Sequence, residues 1–273
     1  MVQKGLVSSR ERARALILAG RVLVAEQKVD KPGHAFPQDL PIRILGQMNG
    51  QDGFDGISQR YVSRGGLKLE AALKHWSIPV RGRACLDIGT STGGFTDCLL
   101  QAGAAQVTCV DTGFGQIAMS LRALTMGAGT AGDAPRIRLY ERTNARLLAP
   151  GSLDPETSSS VSPPLTLLVM DVSFISATLV LPAVLAAATT LTEAVILVKP
   201  QFEAGRQHVG KGGIVRDPEA HQLAIDRVTA SVTGLGGHSI EVIDSPITGA
   251  EGNKEFLLHT LFAPREDTTE LDV

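Results

Sequence analysis

Four charged side chains stand at the ends or starts of expected strands and helices, where their cost calls for a partner or a function: Lys68, Asp171, Lys199 and Glu255. Asp171 closes the apolar run Leu168-Val169-Met170, and Lys199 closes Ile196-Leu197-Val198. Ligands of open α/β sheets gather at the carboxyl ends of strands. A lysine at the end of an apolar strand is costly unless it is paired or functional. Lys68 opens a helix ahead of the first such strand, and Glu255 opens the late apolar strand that follows Gly252-Asn253-Lys254. Each has a bland alternative. Asp171 also reads as a turn cap, Lys199 as a snorkelling surface lysine, Lys68 as a solvent contact, and Lys254-Glu255 as an edge-strand charge pair.

A second constellation is built for a nucleoside. Cys85-Leu86-Asp87-Ile88-Gly89-Thr90-Ser91-Thr92-Gly93-Gly94-Phe95 is an apolar strand ending in an acid, a glycine-rich turn and the start of an amphipathic stretch. Val107-Thr108-Cys109-Val110 follows and ends in Asp111. Glycines let backbone N–H groups approach a ligand, and an acid after the second strand can accept hydrogen bonds from ribose hydroxyls. The spacing Asp-x-Gly-x-x-x-Gly-Gly is not the GxGxxG of dinucleotide folds. It suits S-adenosylmethionine, whose amine can approach an acid while its carboxylate meets turn N–H groups. The expected cofactor set is Asp87, Gly89, Ser91, Thr92, Gly93, Gly94, Phe95, Asp111, Asn144 and Asp171. Asp87 and Asp111 also read as turn or capping acids.

These residues need a sheet to carry them. From Arg83 onward the pattern alternates strand and helix, with strands expected at Ala84–Ile88, Gln106–Asp111, Ile137–Glu141, Thr166–Asp171, Ala194–Lys199, Ser239–Ser245 and Phe256–Leu261. Helices are expected at Leu67–Trp76, Phe95–Ala102, Gln116–Ala123, Val180–Ala188 and Pro218–Gly234. Continuous apolar strands imply a sheet covered on both faces, so the fold class is α/β and doubly wound. Segments 127–135 and 149–164 are polar and read as loops or disordered inserts.

Ahead of this region Ser8 and Glu11 form a capping box, Ala13–Ala19 is expected to be helical, and Val22–Val24 and Val29 look like short strands. Residues 44–58 read as a boundary, and Arg60 to Gly66 as a basic linker. Residues 1–83 carry 14 Lys and Arg against 7 Asp and Glu, whereas the remainder is acidic within an overall charge of −2. A basic module on an acidic body suits nucleic acid, although a solvated basic surface explains the charge equally well.

The 273 residues are 43% hydrophobic and 20% charged, which is ordinary for a chain with a real core. No apolar run reaches the roughly 18 residues of a membrane span, and no signal-peptide core is visible, so the expected compartment is the cytoplasm. The three cysteines lack metal-ligand spacing and read as reduced core thiols, and the six histidines share no spacing of note. No metal is expected. Gly210-Lys211-Gly212-Gly213 lacks the upstream glycine and the Ser or Thr of a phosphate-binding P-loop.

Tyr61 to Leu69, Asp87-Ile88-Gly89, Asp171 to Ser176, Val198 to Glu203 and Gly210 to Asp217 together resemble the TlyA family, over roughly residues 4–262. The resemblance implies a bacterial ribosomal-RNA 2′-O-methyltransferase using S-adenosyl-L-methionine. It implies an S4-like RNA-binding domain at 1–57, a linker at 58–66, an FtsJ-like domain of Rossmann-like class I fold with a mostly parallel sheet at 67–265, and a tail at 266–273. Lys68, Asp171, Lys199 and Glu255 would be its Lys-Asp-Lys-Glu tetrad, with Lys199 as base or hydroxyl-steering group. Arg10, Arg14, Arg21, Arg60, Arg64, Lys211 and Arg216 would meet RNA. Partners would be ribosomal RNA or subunits and no membrane, with a monomer favoured. Family members ordinarily place Arg-Leu-Asp-x-Leu-Leu before the stretch that is Val2 to Leu6 here, so the S4-like unit is expected to be short at its start.

Other classes make different demands. A non-catalytic ribosome-binding factor would have no use for the tetrad. A haemolysin, the family's older label, needs an apolar span or a strongly amphipathic exposed helix. An NAD-dependent oxidoreductase leaves the lysines and acids unexplained.

Overall fold

The computed structural model describes residues 60–125, 135–154, 163–249 and 252–263, and within the first 44 residues it describes 1, 4, 6, 7, 13, 14, 16, 17, 22–25, 27–29, 31–34, 36, 37 and 40–44. The chain divides into two compact units, Met1–Arg60 and Tyr61–Val273. The capping box at Ser8–Glu11 and most of the boundary at 44–58 lie outside the described residues, as do residues 127–134 of the first polar insert and 155–162 of the second.

In the first unit, strands β1 (Val22–Val24), β2 (Gln27–Val29) and β3 (Ile42–Ile44) form an antiparallel sheet in the order β2-β1-β3. Val22 pairs with Val29 and Val24 with Gln27, across a turn in which Ala25 takes φ 48°. Val22, Val24 and Val29 pack with Val7 and Leu16 into a small core of their own.

The second unit is a seven-stranded sheet in the order β6-β5-β4-β7-β8-β10-β9. Its strands are β4 (Ala84–Ile88), β5 (Gln106–Val110), β6 (Ile137–Tyr140), β7 (Leu165–Met170), β8 (Glu193–Val198), β9 (Gly237–Asp244) and β10 (Phe256–Phe262). Strands β4 to β8 pair in parallel, while β10 runs antiparallel to both β8 and β9. Every residue of β4 and β5 is buried, as a strand covered on both faces requires. One face packs Leu86, Ile88, Leu168 and Ile196 under helices α4 (Leu181–Ala187) and α6 (Pro218–Gly234). The other packs Val107, Leu167, Val195 and Leu257 under α1 (Gly65–His75) and α2 (Gly94–Gln101).

Helix α6 shows the local logic. Asp217 caps it by accepting from the Glu219 N–H at 3.0 Å, Pro218 opens its first turn, and Ala220, Ala224, Val228 and Val232 at four-residue spacing form its buried stripe. The expected helix at Gln116–Ala123 is shorter: α3 covers only Met119–Arg122 and passes into a 3₁₀ turn at Ala123–Thr125. Gln116 to Ala118 instead belongs to the loop after β5, where the Ala118 N–H is held by the Thr92 carbonyl at 3.1 Å. A further short helix, α5 (Pro200–Glu203), begins directly after Lys199.

Candidate active site

The parallel strands end along one edge of the sheet, and two cavities share that edge. The first, about 430 Å³, is lined by Gly89, Ser91, Asp111, Asn144 and Asp171, together with Gln116, Thr143 and the Val172–Ile175 segment. The second, about 470 Å³, is lined by Lys68, Asp171, Lys199 and Glu255, with Ser173, Phe174, Gln201, Phe202, Val209 and Gly213. Asp171, Ser173 and Phe174 border both.

All members of the expected tetrad therefore meet in one place. Lys68 lies on the inner face of α1, one turn before Ala72, and is 7% exposed. Its Nζ donates to Glu255 Oε2 at 2.5 Å. Lys199 is equally buried, its Nζ donating to Ser173 Oγ at 2.7 Å and lying 2.5 Å from Asp171 Oδ1. That Asp171 oxygen makes an ion pair without hydrogen-bond alignment. Glu255 reaches this edge because β10 is antiparallel: its first residue, Phe256, pairs with Val198, the last residue of β8. Two lysines and two acids in a low-dielectric cleft neutralise one another, which is what makes their burial tolerable.

Around this group the backbone is clasped tightly. Glu203, buried on α5, accepts from Ser176 Oγ at 2.5 Å and from the Ala177 N–H at 2.7 Å. Burial pushes its carboxyl upward, against those hydrogen bonds and the Arg227 charge. Asn253 accepts from the Val215 N–H and donates to the Gly213 carbonyl, both at 2.9 Å, fixing the glycine-rich loop beside Glu255. Phe174 is 93% exposed at φ 66°, and its ring lies 5.6 Å from that of Phe202.

The first cavity fits a nucleoside-bearing group on its own geometry. Gly89 takes φ 85°, and a Cβ there would strike the Asp171 carbonyl, so the turn stays open only with glycine. Asp111 is fixed at the end of β5 by the Ser91 N–H at 2.7 Å and the Gly113 N–H at 2.6 Å. Asn144 accepts from the Arg146 N–H at 3.1 Å and caps the turn at Ala145–Leu147.

Half of the expected cofactor set is not in that lining. Asp87 is 0% exposed and points behind the turn, where it accepts from Thr96 Oγ1 at 2.5 Å while its Oδ1 has no partner. Burial pushes its carboxyl up to about 7, with Asp171 and Asp111 adding to the shift and Thr96 opposing it. Thr92, Gly93, Gly94 and Phe95 shape the turn from the far side. A Cβ on Gly93 would meet Leu121, one on Gly94 would meet Ser63 and the Gly66 N–H, and Phe95 is buried in the core. The spacing of the turn locates the loop but not which way each side chain leaves the strand. Conversely, Ser173, Phe174 and Gln201 line the site without having been singled out. Their signal was position alone, two or three residues past strand-end acid or lysine.

Of the expected RNA contacts, Arg14, Arg60, Arg64, Lys211 and Arg216 are exposed, and Arg10 and Arg21 lie outside the described residues. Arg64 donates to the Thr248 carbonyl at 3.2 Å. Cys85, Cys98 and Cys109 are buried thiols outside any disulfide, and burial pushes the Cys85 thiol up to about 12. Among the described residues no cluster of His, Cys, Asp or Glu could hold a metal ion, and no helix is long and apolar enough to cross a membrane.

Residues 61–262 match the model of the FtsJ-like methyltransferases, and residues 1–36 that of the S4 domain. The chain belongs to the FtsJ-like methyltransferase family. It is similar to YqxC of Bacillus subtilis, with 42% identity over 95% of this chain and 83% of that protein. It is similar also to the 16S/23S rRNA (cytidine-2′-O)-methyltransferase TlyA of Mycobacterium tuberculosis, with 39% identity over 94% of this chain and 86% of that one. Among solved structures, a Streptococcus thermophilus protein that carries a hemolysin name matches with a TM-score of 0.63 and 36% identity, covering 97% of this chain and 88% of that one. The second unit is thus a methyltransferase domain.

Proposed function

We propose that this protein transfers the methyl group of S-adenosylmethionine to a ribose 2′-oxygen of ribosomal RNA, at a cytidine. The observation that carries the reading is the sharing of Asp171 between the two cavities, one suited to a nucleoside cofactor and one holding Lys68, Lys199 and Glu255. When bound, S-adenosylmethionine supplies an electrophilic methyl on a sulfonium. Asp111 would hold its ribose hydroxyls, and the Gly89–Ser91 turn its methionine end. A ribose hydroxyl is a poor nucleophile and must be aimed and deprotonated. Lys199, once its ammonium has given up a proton to solvent, would hydrogen-bond the hydroxyl and take its proton as the methyl passes from sulfur to oxygen. Asp171 stabilises the ammonium so produced, Ser173 fixes the amine, and the Lys68–Glu255 pair positions the ribose.

The basic residues Arg10, Arg14, Arg21, Arg60, Arg64, Lys211 and Arg216 dock the RNA in this reading. The division into an RNA-binding module at 1–57, a linker at 58–66, a catalytic domain at 67–265 and a tail at 266–273 belongs to the same reading, as do a cytoplasmic location and a monomeric state.

The test is transfer of tritium from labelled S-adenosylmethionine to ribosomal subunits lacking the modification, with Lys199→Ala as control. Label mapped to a ribose 2′-oxygen and lowered at least about a hundredfold in the variant is the expected result. Absence of transfer to either subunit by a protein that binds the cofactor would refute the substrate; near-wild-type turnover in Lys199→Ala would remove it as the base.

A further inference from the structure

Among the described residues, three buried side-chain oxygens have no hydrogen-bond partner: Asp87 Oδ1, Asp171 Oδ1 and Gln201 Oε1. Asp171 Oδ1 has the Lys199 charge beside it, and Asp87 lies behind the cofactor turn. Gln201 differs from both. It is neutral, it lines the acceptor cavity, and it stands two residues beyond Lys199 on the first turn of α5. An unpaired buried acceptor is costly, so a group that spends part of its cycle in this cavity is expected to donate to it.

The cavity indicates which group. Its charged wall, Lys68, Asp171, Lys199 and Glu255, faces the reacting hydroxyl, while Phe174, Phe202 and Val209 supply a wall with aromatic and apolar surface. Gln201 and Phe202 line the same cavity as the two lysines, so the base of a ribose seated at the lysines would share that cavity with them. A carboxamide presents an acceptor and a donor side by side in one plane. The Watson–Crick edge of cytosine offers the complement, an exocyclic amine that donates next to a ring nitrogen that accepts. Uracil offers the opposite order, a carbonyl beside an N–H. Turned with its unpaired Oε1 toward the exocyclic amine, the amide reads the cytosine order.

We propose that Gln201 is the specificity-determining residue of the acceptor cavity, its Oε1 accepting from the exocyclic amine of the target cytosine and its Nε2 donating to the adjacent ring nitrogen. This rests on the methyl-transfer reading above and assigns the side chain that sets the base preference.

The experiment compares subunits carrying the mapped target cytidine with subunits in which it is replaced by uridine. Single-turnover rates at saturating enzyme are measured for wild type, Gln201→Met and Gln201→Asn, with cofactor affinity followed by calorimetry. Wild type is expected to favour cytidine by about tenfold to a hundredfold, the discrimination of one good bidentate pair. In Gln201→Met the preference should collapse toward unity with cofactor affinity unchanged. Gln201→Asn, one carbon short but still an amide, should fall between. If Gln201→Met is too slow on both substrates, the Asn ratio decides: a fall supports the assignment and an unchanged ratio overturns it. Equal loss on both substrates, or wild-type preference retained in Gln201→Met, likewise overturns it. A wild-type protein inactive on both subunits would instead count against the methyl-transfer reading itself.

Discussion

Lys68 and Glu255 are 187 residues apart in the chain and meet at 2.5 Å in the cleft. Their side chains are 9% and 3% exposed, so each depends on the other for its charge to be tolerated. Lys68→Met strands the Glu255 carboxylate and should cost about 3–5 kcal/mol in urea unfolding, whereas Lys68→Met with Glu255→Leu should recover most of that loss. Both variants should be inactive. Equal stability of the single and double variants would show that the pair is not coupled in this way.

Asp87 should impose a pH dependence of stability. Its carboxyl is held at about 7 in the fold, chiefly by burial, against an ordinary value of 3.8. Between those limits the folded chain keeps a proton that the unfolded chain has released, so stability should fall as pH rises from about 4 to 7 and level off above. The slope is at most about 1.4 kcal/mol per pH unit. Asp87→Asn should flatten it, measured by urea unfolding at pH 5, 6, 7 and 8. A slope unchanged in the variant would place its origin elsewhere.

Gly89→Ala should close the cofactor turn. The positive φ and the collision of the new Cβ with the Asp171 carbonyl both oppose it. Cofactor affinity should drop at least about tenfold, with a stability loss of more than about 1 kcal/mol. Calorimetric affinity equal to wild type would mean that the ligand does not approach this turn.

Glu203 touches neither cavity but ties α5, which starts at Lys199, to the Ser176–Ala177 backbone beyond Ser173. Glu203→Ala should lower kcat about tenfold or more through misplacement of Lys199, leaving cofactor affinity intact. Glu203→Gln, whose amide can still accept from the Ala177 N–H and donate to Ser176, should restore much of it. A purely structural role would instead lower stability in both variants with kcat unchanged in the folded fraction.

The sheet was legible because its strands are runs of Val, Ile and Leu with an acid or lysine at their ends. β4 matches its expected bounds residue for residue, and β7 and β8 are offset by one. Asp171 and Lys199 were legible for the same reason, since charge at the end of an apolar strand is rare enough to stand out, whereas Lys68 on a helix and Glu255 ahead of a strand were joined to them by the family resemblance. The loop after β5 was not. Gln116 to Ala118 has helical composition, but the backbone there pairs with Thr92 instead of with itself. The facing of Asp87 was equally hidden, because in a strand buried on both sides no polar alternation marks which side chains turn toward the ligand.

The antiparallel insertion of β10 has a consequence for how the protein is made. A parallel strand at that place would have offered its last residue to the cleft; β10 offers the residue before its first, Glu255, opposite the end of β8. The cleft is therefore assembled from both ends of the second unit, with Lys68 entering early and its counter-ion late. A chain that ended just before Glu255 would keep the parallel strands β4 to β8 but lack the counter-ion of Lys68.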